Sequence, residues 1–166
     1  MKIIYITPEK CLACRSCQLA CAVAHSKSKE LAKAIAEEPR PAARISVIGC
    51  EDVNLPLQCR HCDDAPCVAV CPSKALRKEE NGIVFLDSES CIGCDFCIIA
   101  CPFGVIKKNR EGKAVIKCDL CRERLKKGEE PACVAACPTK ALVFAEPEPE
   151  SKEKKKKFLT EIKKKE

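Results

Sequence analysis

The sequence predicts an α+β fold built from small modules, with short strands and short helices strung around ligand loops. Three observations predict it. Cysteine supplies 17 of the 166 residues, while the aromatics amount to five Phe, one Tyr and no Trp. The apolar runs are brief and β-type, each flanked by Gly, Pro or charged residues. Small-residue stretches that suit a short helix lie beside the cysteines. A chain so poor in bulky side chains has little with which to build a conventional core, so cross-links or metal must help hold it together.

In chain order, the strand candidates are Ile3-Ile4-Tyr5-Ile6, Ile45-Ser46-Val47-Ile48, Ile83-Val84-Phe85-Leu86, Ala114-Val115-Ile116 and Leu142-Val143-Phe144. The third follows the turn signal Asn81-Gly82. Residues 18–24, QLACAVA, read as a short helix packed against a ligand site. Residues 26–43 read as a surface helix that runs into a turn set by Glu38-Pro39-Arg40-Pro41. Residues 146–166 change character, from alternating Glu and Pro to lysine runs, and are expected to form a charged flexible tail. That tail reads first as a solvated segment; a sharper reading docks it on an acidic partner surface and speeds encounter.

The cysteines fall into four groups: Cys11, Cys14, Cys17 and Cys21; Cys59, Cys62, Cys67 and Cys71; Cys91, Cys94, Cys97 and Cys101; Cys118, Cys121, Cys133 and Cys137. Cys50 is left over and is expected to be a free thiol. The groups are internal repeats. Each closes on a C-x3-C step, and proline follows Cys71, Cys101 and Cys137. The phrases CPSKAL, from Cys71, and CPTKAL, from Cys137, are nearly identical, and CPFGVI, from Cys101, is a looser copy.

Disulfides, zinc and iron–sulfur clusters compete for such a pattern. The N-terminus shows no export signal and no apolar run approaches the roughly 18 residues of a membrane span, so a cytoplasmic, soluble protein is expected and disulfides are not. Zinc sites pair two C-x2-C arms across a loop, and the fourth group alone could pass for one. The third group, C-x2-C-x2-C-x3-C-P, is instead the bacterial iron–sulfur run, in which three cysteines wrap one cubane and the fourth, entering a helix, reaches toward a neighbouring cluster. With the same spacing or a close variant in the first and second groups, sixteen cysteines read as ligands of four [4Fe–4S] clusters. Metal binding would be coupled to folding, leaving the apo chain largely unfolded. His25 and His61 are expected to pack near a cluster or donate a hydrogen bond toward its sulfurs rather than to ligate iron.

The formal charge of +6 counts every cysteine as a neutral thiol. A cubane with its four thiolates carries a net 2−, so four such sites bring the chain to about −2. The apparent basicity gives no support to nucleic-acid binding, and aromatic–basic interleaving is absent from the sequence. No dinucleotide fingerprint, P-loop or nucleophile–base constellation appears either, so no catalytic residue is expected.

On these motifs, including CRHCDDAPC, CIGCDFCIIACPFGVI and KCDLC with PACVAACPTKAL, residues 1–145 resemble the four-cluster, ferredoxin-like electron-transfer subunits of oxidoreductases. The resemblance implies two bacterial-ferredoxin-like dicluster modules. Residues 1–50 plus 110–145 would form the outer one from motifs one and four, and 51–109 the inner one from motifs two and three. It also implies the ligand sharing. Cys11, Cys14 and Cys17 would share a cluster with Cys137, and Cys118, Cys121 and Cys133 with Cys21. Cys59, Cys62 and Cys67 would pair with Cys101, and Cys91, Cys94 and Cys97 with Cys71. The implied partner is a catalytic subunit of carbon monoxide dehydrogenase, hydrogenase, formate dehydrogenase or aldehyde oxidoreductase type. The chain would pass single electrons to and from it without a substrate of its own. A diffusible or self-associating polyferredoxin is the alternative, and a zinc-stabilised binding module stands behind both.

Overall fold

A computed structural model describes residues 1–109, 111–112 and 114–147, with Cys50 described by its backbone alone. The chain runs β1 (Ile3–Ile6), a 3-10 turn (Pro8–Lys10), α1 (Ser16–Ala24), α2 (Leu31–Ala34), β2 (Ser46–Cys50) and β3 (Val53–Leu57). It continues through α3 (Pro66–Ala69), β4 (Leu76–Lys78), β5 (Val84–Leu86), α4 (Phe96–Ala100) and β6 (Lys107–Lys108). The last elements are β7 (Val115–Ile116), α5 (Arg122–Lys126), α6 (Ala132–Ala135) and β8 (Leu142–Ala145). The fold is mixed α and β, and the described strands pair two by two in antiparallel ladders: β1 with β8, β2 with β3, β4 with β5, β6 with β7.

The β1–β8 ladder joins the two ends of the described chain, from Ile3 opposite Ala145 to Ile6 opposite Leu142. The Thr7 N–H extends it by donating to the Ala141 carbonyl at 2.9 Å. Alternation puts Ile4 and Leu142 inside, where they are 5% and 1% exposed, and helices α1 and α6 pack together beside them. A second unit repeats the plan with hairpin β4–β5 and helices α3 and α4. Each unit has its own core. Ile4, Ile45, Leu120, Val134 and Leu142 pack with Cys17, Cys21, Cys133 and Cys137 in one; Leu76, Val84, Ile106 and Val115 pack with Cys67 and Cys97 in the other. Cysteine takes the place of bulky apolar side chains in both.

Hairpin β4–β5 also ties the units together. Ile83, just before β5, is buried in the first core. Arg122, at the start of α5, pairs with Glu79 and lies 4.3 Å over the ring of Phe85.

All five expected strands form, β1 with the expected bounds and the other four with ends moved by one or two residues. Three others were not expected: β3, β4 and β6. Strand β3 carries Pro56, which has no N–H to donate. Opposite it the Val47 N–H turns outward and donates to Gln18 Oε1 at 3.2 Å, so the missing donor costs the ladder nothing.

The surface helix expected over 26–43 is corrected to the four residues of α2. The Glu37 carboxylate folds back to accept the N–H groups of Lys27 and Ser28, at 3.0 and 2.8 Å, and Pro39 and Pro41 exclude helix beyond. The free thiol expected of Cys50 and the flexible tail from residue 148 onward lie outside what is described. No helix among the described residues is long and apolar enough to cross a membrane.

Leu142→Ala removes the most buried residue of the closing ladder and should destabilise the iron-loaded protein by about 2–5 kcal/mol. The shift in denaturant midpoint relative to wild type measures it; a change under about 1 kcal/mol would mean that β8 is not part of the core.

Candidate metal centre

The four groups share one loop geometry. The residue before the second cysteine is left-handed in each: Ala13, His61, Gly93 and Leu120 have φ of 53°, 47°, 69° and 57°. Three residues after the terminal cysteine, Lys74, Gly104 and Lys140 are left-handed too, at 52°, 60° and 54°. Side chains with a Cβ seldom adopt this region, so its recurrence at equivalent positions marks a constraint. The constraint is the curl of the loop, which turns backbone N–H groups inward onto sulfur. His61 N–H donates to Cys59 Sγ and Leu120 N–H to Cys118 Sγ, both at 3.4 Å, and Arg44 N–H donates to Cys21 Sγ at 3.2 Å.

The turns after Cys71 and Cys137 do the same. Burial works against ionisation of these two thiols, but the Leu76 N–H, Ser73 hydroxyl and Ala75 N–H at Cys71, and the Leu142 N–H, Thr139 hydroxyl and Ala141 N–H at Cys137, outweigh it and hold both below the usual thiol range. The repeated phrases CPSKAL and CPTKAL are thus sulfur-facing turns. Where the sequence reading had the fourth cysteine entering a helix, α3, α4 and α6 instead carry the third cysteine of their groups, Cys67, Cys97 and Cys133. Cys71, Cys101 and Cys137 follow the helix end.

Cysteines from different groups meet. Cys71 stands with Cys91, Cys94 and Cys97 around a cavity of about 20 Å³. Cys137 stands with Cys11, Cys14 and Cys17 around one of about 20 Å³, and Cys101 with Cys59, Cys62 and Cys67 around another of about 20 Å³. Cys21, Cys118, Cys121 and Cys133 are all buried and lie within one another's electric field. None of the sixteen described thiols is in a disulfide. Burial, reinforced by neighbouring thiolates, pushes Cys17 and Cys97 up to about 11, and burial raises Cys118 and Cys133 further. Such thiols stay protonated at neutral pH unless a metal displaces the proton.

Beside Cys21 the sequence hid a charge cluster. His25 Nδ1 lies 2.8 Å from the Cys21 carbonyl and 3.7 Å from its sulfur, while Nε2 lies 3.0 Å from Asp119 Oδ1. Arg44 holds the other Asp119 oxygen at 2.7 Å. Burial disfavours the imidazolium, but the hydrogen bonds to Asp119 and Cys21 outweigh it and raise the pKa of His25 to about 9. Burial likewise opposes ionisation of Asp119, and His25 and Arg44 overcome it, holding the carboxyl well below its usual range. His25 therefore lies beside the Cys21 sulfur.

The His61 Nδ1 accepts the Val84 N–H at 3.0 Å, and burial, with Lys117 nearby, pushes its pKa down to about 3, so the ring is neutral. Nothing in the sequence marked Arg44 or Asp119, because neither belongs to a repeat.

A larger groove of about 720 Å³ runs between α1 and α6, walled by Leu19, Ala20, Val23 and Ala135. Among its polar groups, His25 is paired with Asp119 and Arg124 with Glu129.

Residues 51–147 match the family described as a 4Fe-4S dicluster domain, and residues 8–24 match a 4Fe-4S binding domain. An iron-sulfur protein of Rhodospirillum rubrum is 44% identical, over 84% of this chain and 80% of its own length. The electron transport protein HydN of Escherichia coli strain K12 is 38% identical over 86% of each chain. The thiosulfate reductase electron transfer subunit PhsB of Salmonella typhi is 38% identical, over 82% of this chain and 71% of its own. The sulfur sets fit cubane clusters: all donors are thiols, the walls around them are apolar, and N–H dipoles point at the sulfurs.

Asp119→Asn would leave two largely buried cations without their anion and should cost on the order of 3 kcal/mol. The folded pKa of His25 lies above 6.5, so its share is fully present below pH 6.5 and is lost as pH rises through about 9. The share from Asp119 is present above pH 3.8 and is lost as pH falls below that value. Urea unfolding of iron-loaded wild type and D119N should therefore differ more at about pH 6 than at about pH 9.5; an equal difference at both would remove His25 from the cluster.

Proposed function

This chain belongs to the 4Fe-4S dicluster family, and from that premise we propose which cysteines hold which cluster and what the loaded chain serves. It is an electron-transfer protein with four [4Fe–4S] clusters, and it carries electrons without a bond-making step of its own. When bound, each cubane supplies a one-electron couple. The residues supply the rest: ligand spacing, exclusion of water, and charges and N–H dipoles that set each potential.

The ligand sets we propose are Cys11, Cys14, Cys17 and Cys137; Cys21, Cys118, Cys121 and Cys133; Cys59, Cys62, Cys67 and Cys101; Cys71, Cys91, Cys94 and Cys97. The observation that carries this is the meeting of cysteines from non-adjacent motifs around common cavities. The four sites also fall into one line in the order just given. Cys17 and Cys133 feel each other's charge across the first junction, Cys118 and Cys59 across the second, Cys97 and Cys67 across the third. The two end sites each include an exposed cysteine, Cys14 and Cys94, and the second site is wholly buried. Electrons would enter and leave at the ends, where Leu12, Ile92, Phe96 and Ile99 offer exposed apolar contact.

The partner we infer is the catalytic subunit of a cytoplasmic, anaerobic oxidoreductase of carbon monoxide dehydrogenase, hydrogenase, formate dehydrogenase or aldehyde oxidoreductase type. Relatives named as reductase subunits support a catalytic partner in general. A reducing compartment suits a chain whose ligands would otherwise be open to oxidation. As for modules, hairpin β2–β3 spans residues 46–57 and packs on the outer core through Val47, so the outer module is best drawn to Leu57 and the inner one from Gln58.

Ligand sharing is tested by substitution. Cys71→Ser should alter the same electron paramagnetic resonance signal as Cys94→Ser, and Cys101→Ser the same signal as Cys62→Ser, each with loss or conversion of one cluster. The reverse assignment would overturn the pairing. Anaerobic purification from the source cell should bring down a nickel, molybdenum or tungsten subunit at fixed stoichiometry. Elution of the iron-loaded chain alone would favour the diffusible carrier.

A further inference from the structure

Lys117 is the most deeply placed basic residue among those described, 2% exposed, yet no carboxylate lies within 4.0 Å of its ammonium among the described residues. It donates instead to two backbone carbonyls, Cys118 O at 2.6 Å and Val84 O at 2.5 Å. An ammonium withdrawn from water is strongly unfavourable unless opposite charge compensates it, and carbonyl dipoles compensate only in part. Any anion in direct contact with it must come from outside the set of described carboxylates.

The two carbonyls identify that anion. Cys118 opens the fourth motif and belongs to the buried site with Cys21, Cys121 and Cys133. Val84 belongs to the inner hairpin and lines the cavity shared by Cys59, Cys62, Cys67 and Cys101. The ammonium is pinned at the middle junction of the line, with a net 2− cluster site on each side once iron is loaded.

We propose that Lys117 is a positioning residue for electron transfer across the centre of the chain, its fixed ammonium raising the reduction potentials of the two flanking clusters together. A cubane site gains negative charge on reduction, so a buried cation beside it stabilises the reduced state, and low local polarity strengthens the effect. Burial shifts a cluster site toward more negative potentials, most of all at the wholly buried site of Cys21, Cys118, Cys121 and Cys133. Lys117 offsets that shift at the step where electrons pass between the two modules. This rests on the ligand sets proposed above. The rival account makes Lys117 a peg, two hydrogen bonds that fasten the fourth motif to the inner hairpin.

Charge and peg separate under substitution. Lys117→Gln keeps a hydrogen-bond donor and removes the charge, whereas Lys117→Arg keeps the charge and alters the fit. The four clusters of the iron-loaded chain are titrated potentiometrically and followed by electron paramagnetic resonance, with Cys14→Ser, Cys118→Ser, Cys59→Ser and Cys94→Ser variants assigning the four signals. In K117Q the two central clusters should become harder to reduce by about tenfold, about 59 mV for a one-electron couple, while the end clusters stay in place. K117R should return the central pair to wild-type potentials.

Unchanged potentials in K117Q at full iron content would overturn the proposal and leave the peg, as would an equal shift of all four clusters. If K117Q does not hold its iron, loading of K117R with wild-type potentials upholds the requirement for charge, and failure of K117R to load refutes it. Signal assignments that place Cys59 and Cys118 in one cluster would instead defeat the ligand sets, a separate result read from the cysteine variants.

Discussion

Thiolates gathered around a common point repel one another, and this chain brings sixteen cysteines into four such gatherings. Two unit charges 4 Å apart interact by about 4 kcal/mol even at the effective polarity of a protein surface. Burial makes matters worse, which is why Cys17, Cys97 and Cys121 are pushed up to about 11. Iron relieves the repulsion by accepting the sulfur charge, and folding and loading become one process. Much of the remaining structure can be read as management of what negative charge is left. Left-handed turns aim N–H groups at sulfur, and His25 and Arg44 sit beside Cys21.

The same constraint explains how little regular structure the chain needs. The longest described helix has nine residues and the longest strands five, and α1, α3, α4 and α6 each have to deliver only one or two cysteines to a meeting point. Hairpin β4–β5 carries an unusual share of the work. It closes the inner unit, contributes Ile83 to the outer core, and receives Arg122 on Glu79 and Phe85. A short hairpin with contacts on both sides keeps the modules at a fixed distance, which a chain of electron hops requires.

The sulfur pattern was the legible part. Spacing alone singled out the sixteen cysteines, the five expected strands formed, and the cofactor followed from the motifs. Elements whose cause lies outside their own residues were not legible. Strand β3 contains a proline that is tolerated only because Val47 turns its N–H to Gln18. The segment after Ser26 looked helical by composition, but a single carboxylate, Glu37, folds it back. The left-handed positions are filled by Ala13, His61, Leu120, Lys74 and Lys140, residue types that carry no turn signal, and only Gly93 and Gly104 announce themselves. Asp119 and Arg44 meet across 75 residues of chain, a distance no local pattern spans.

Because β1 pairs with β8, the first cysteine group cannot be enclosed until the strand near residue 145 has been made. On a ribosome adding roughly 5–20 residues per second, Cys11, Cys14 and Cys17 would wait on the order of ten seconds or more for Cys137 to emerge. Cysteines 59 to 101 of the inner unit emerge sooner and much closer together in time. Assembly in the cell would then proceed from the middle outward, and the earliest-made thiols would be the last to be protected. Premature termination near the C-terminus would spare the two cluster sites of the inner unit and cost the chain the other end site together with its buried neighbour, leaving a shorter conductor with a raw, oxidisable end.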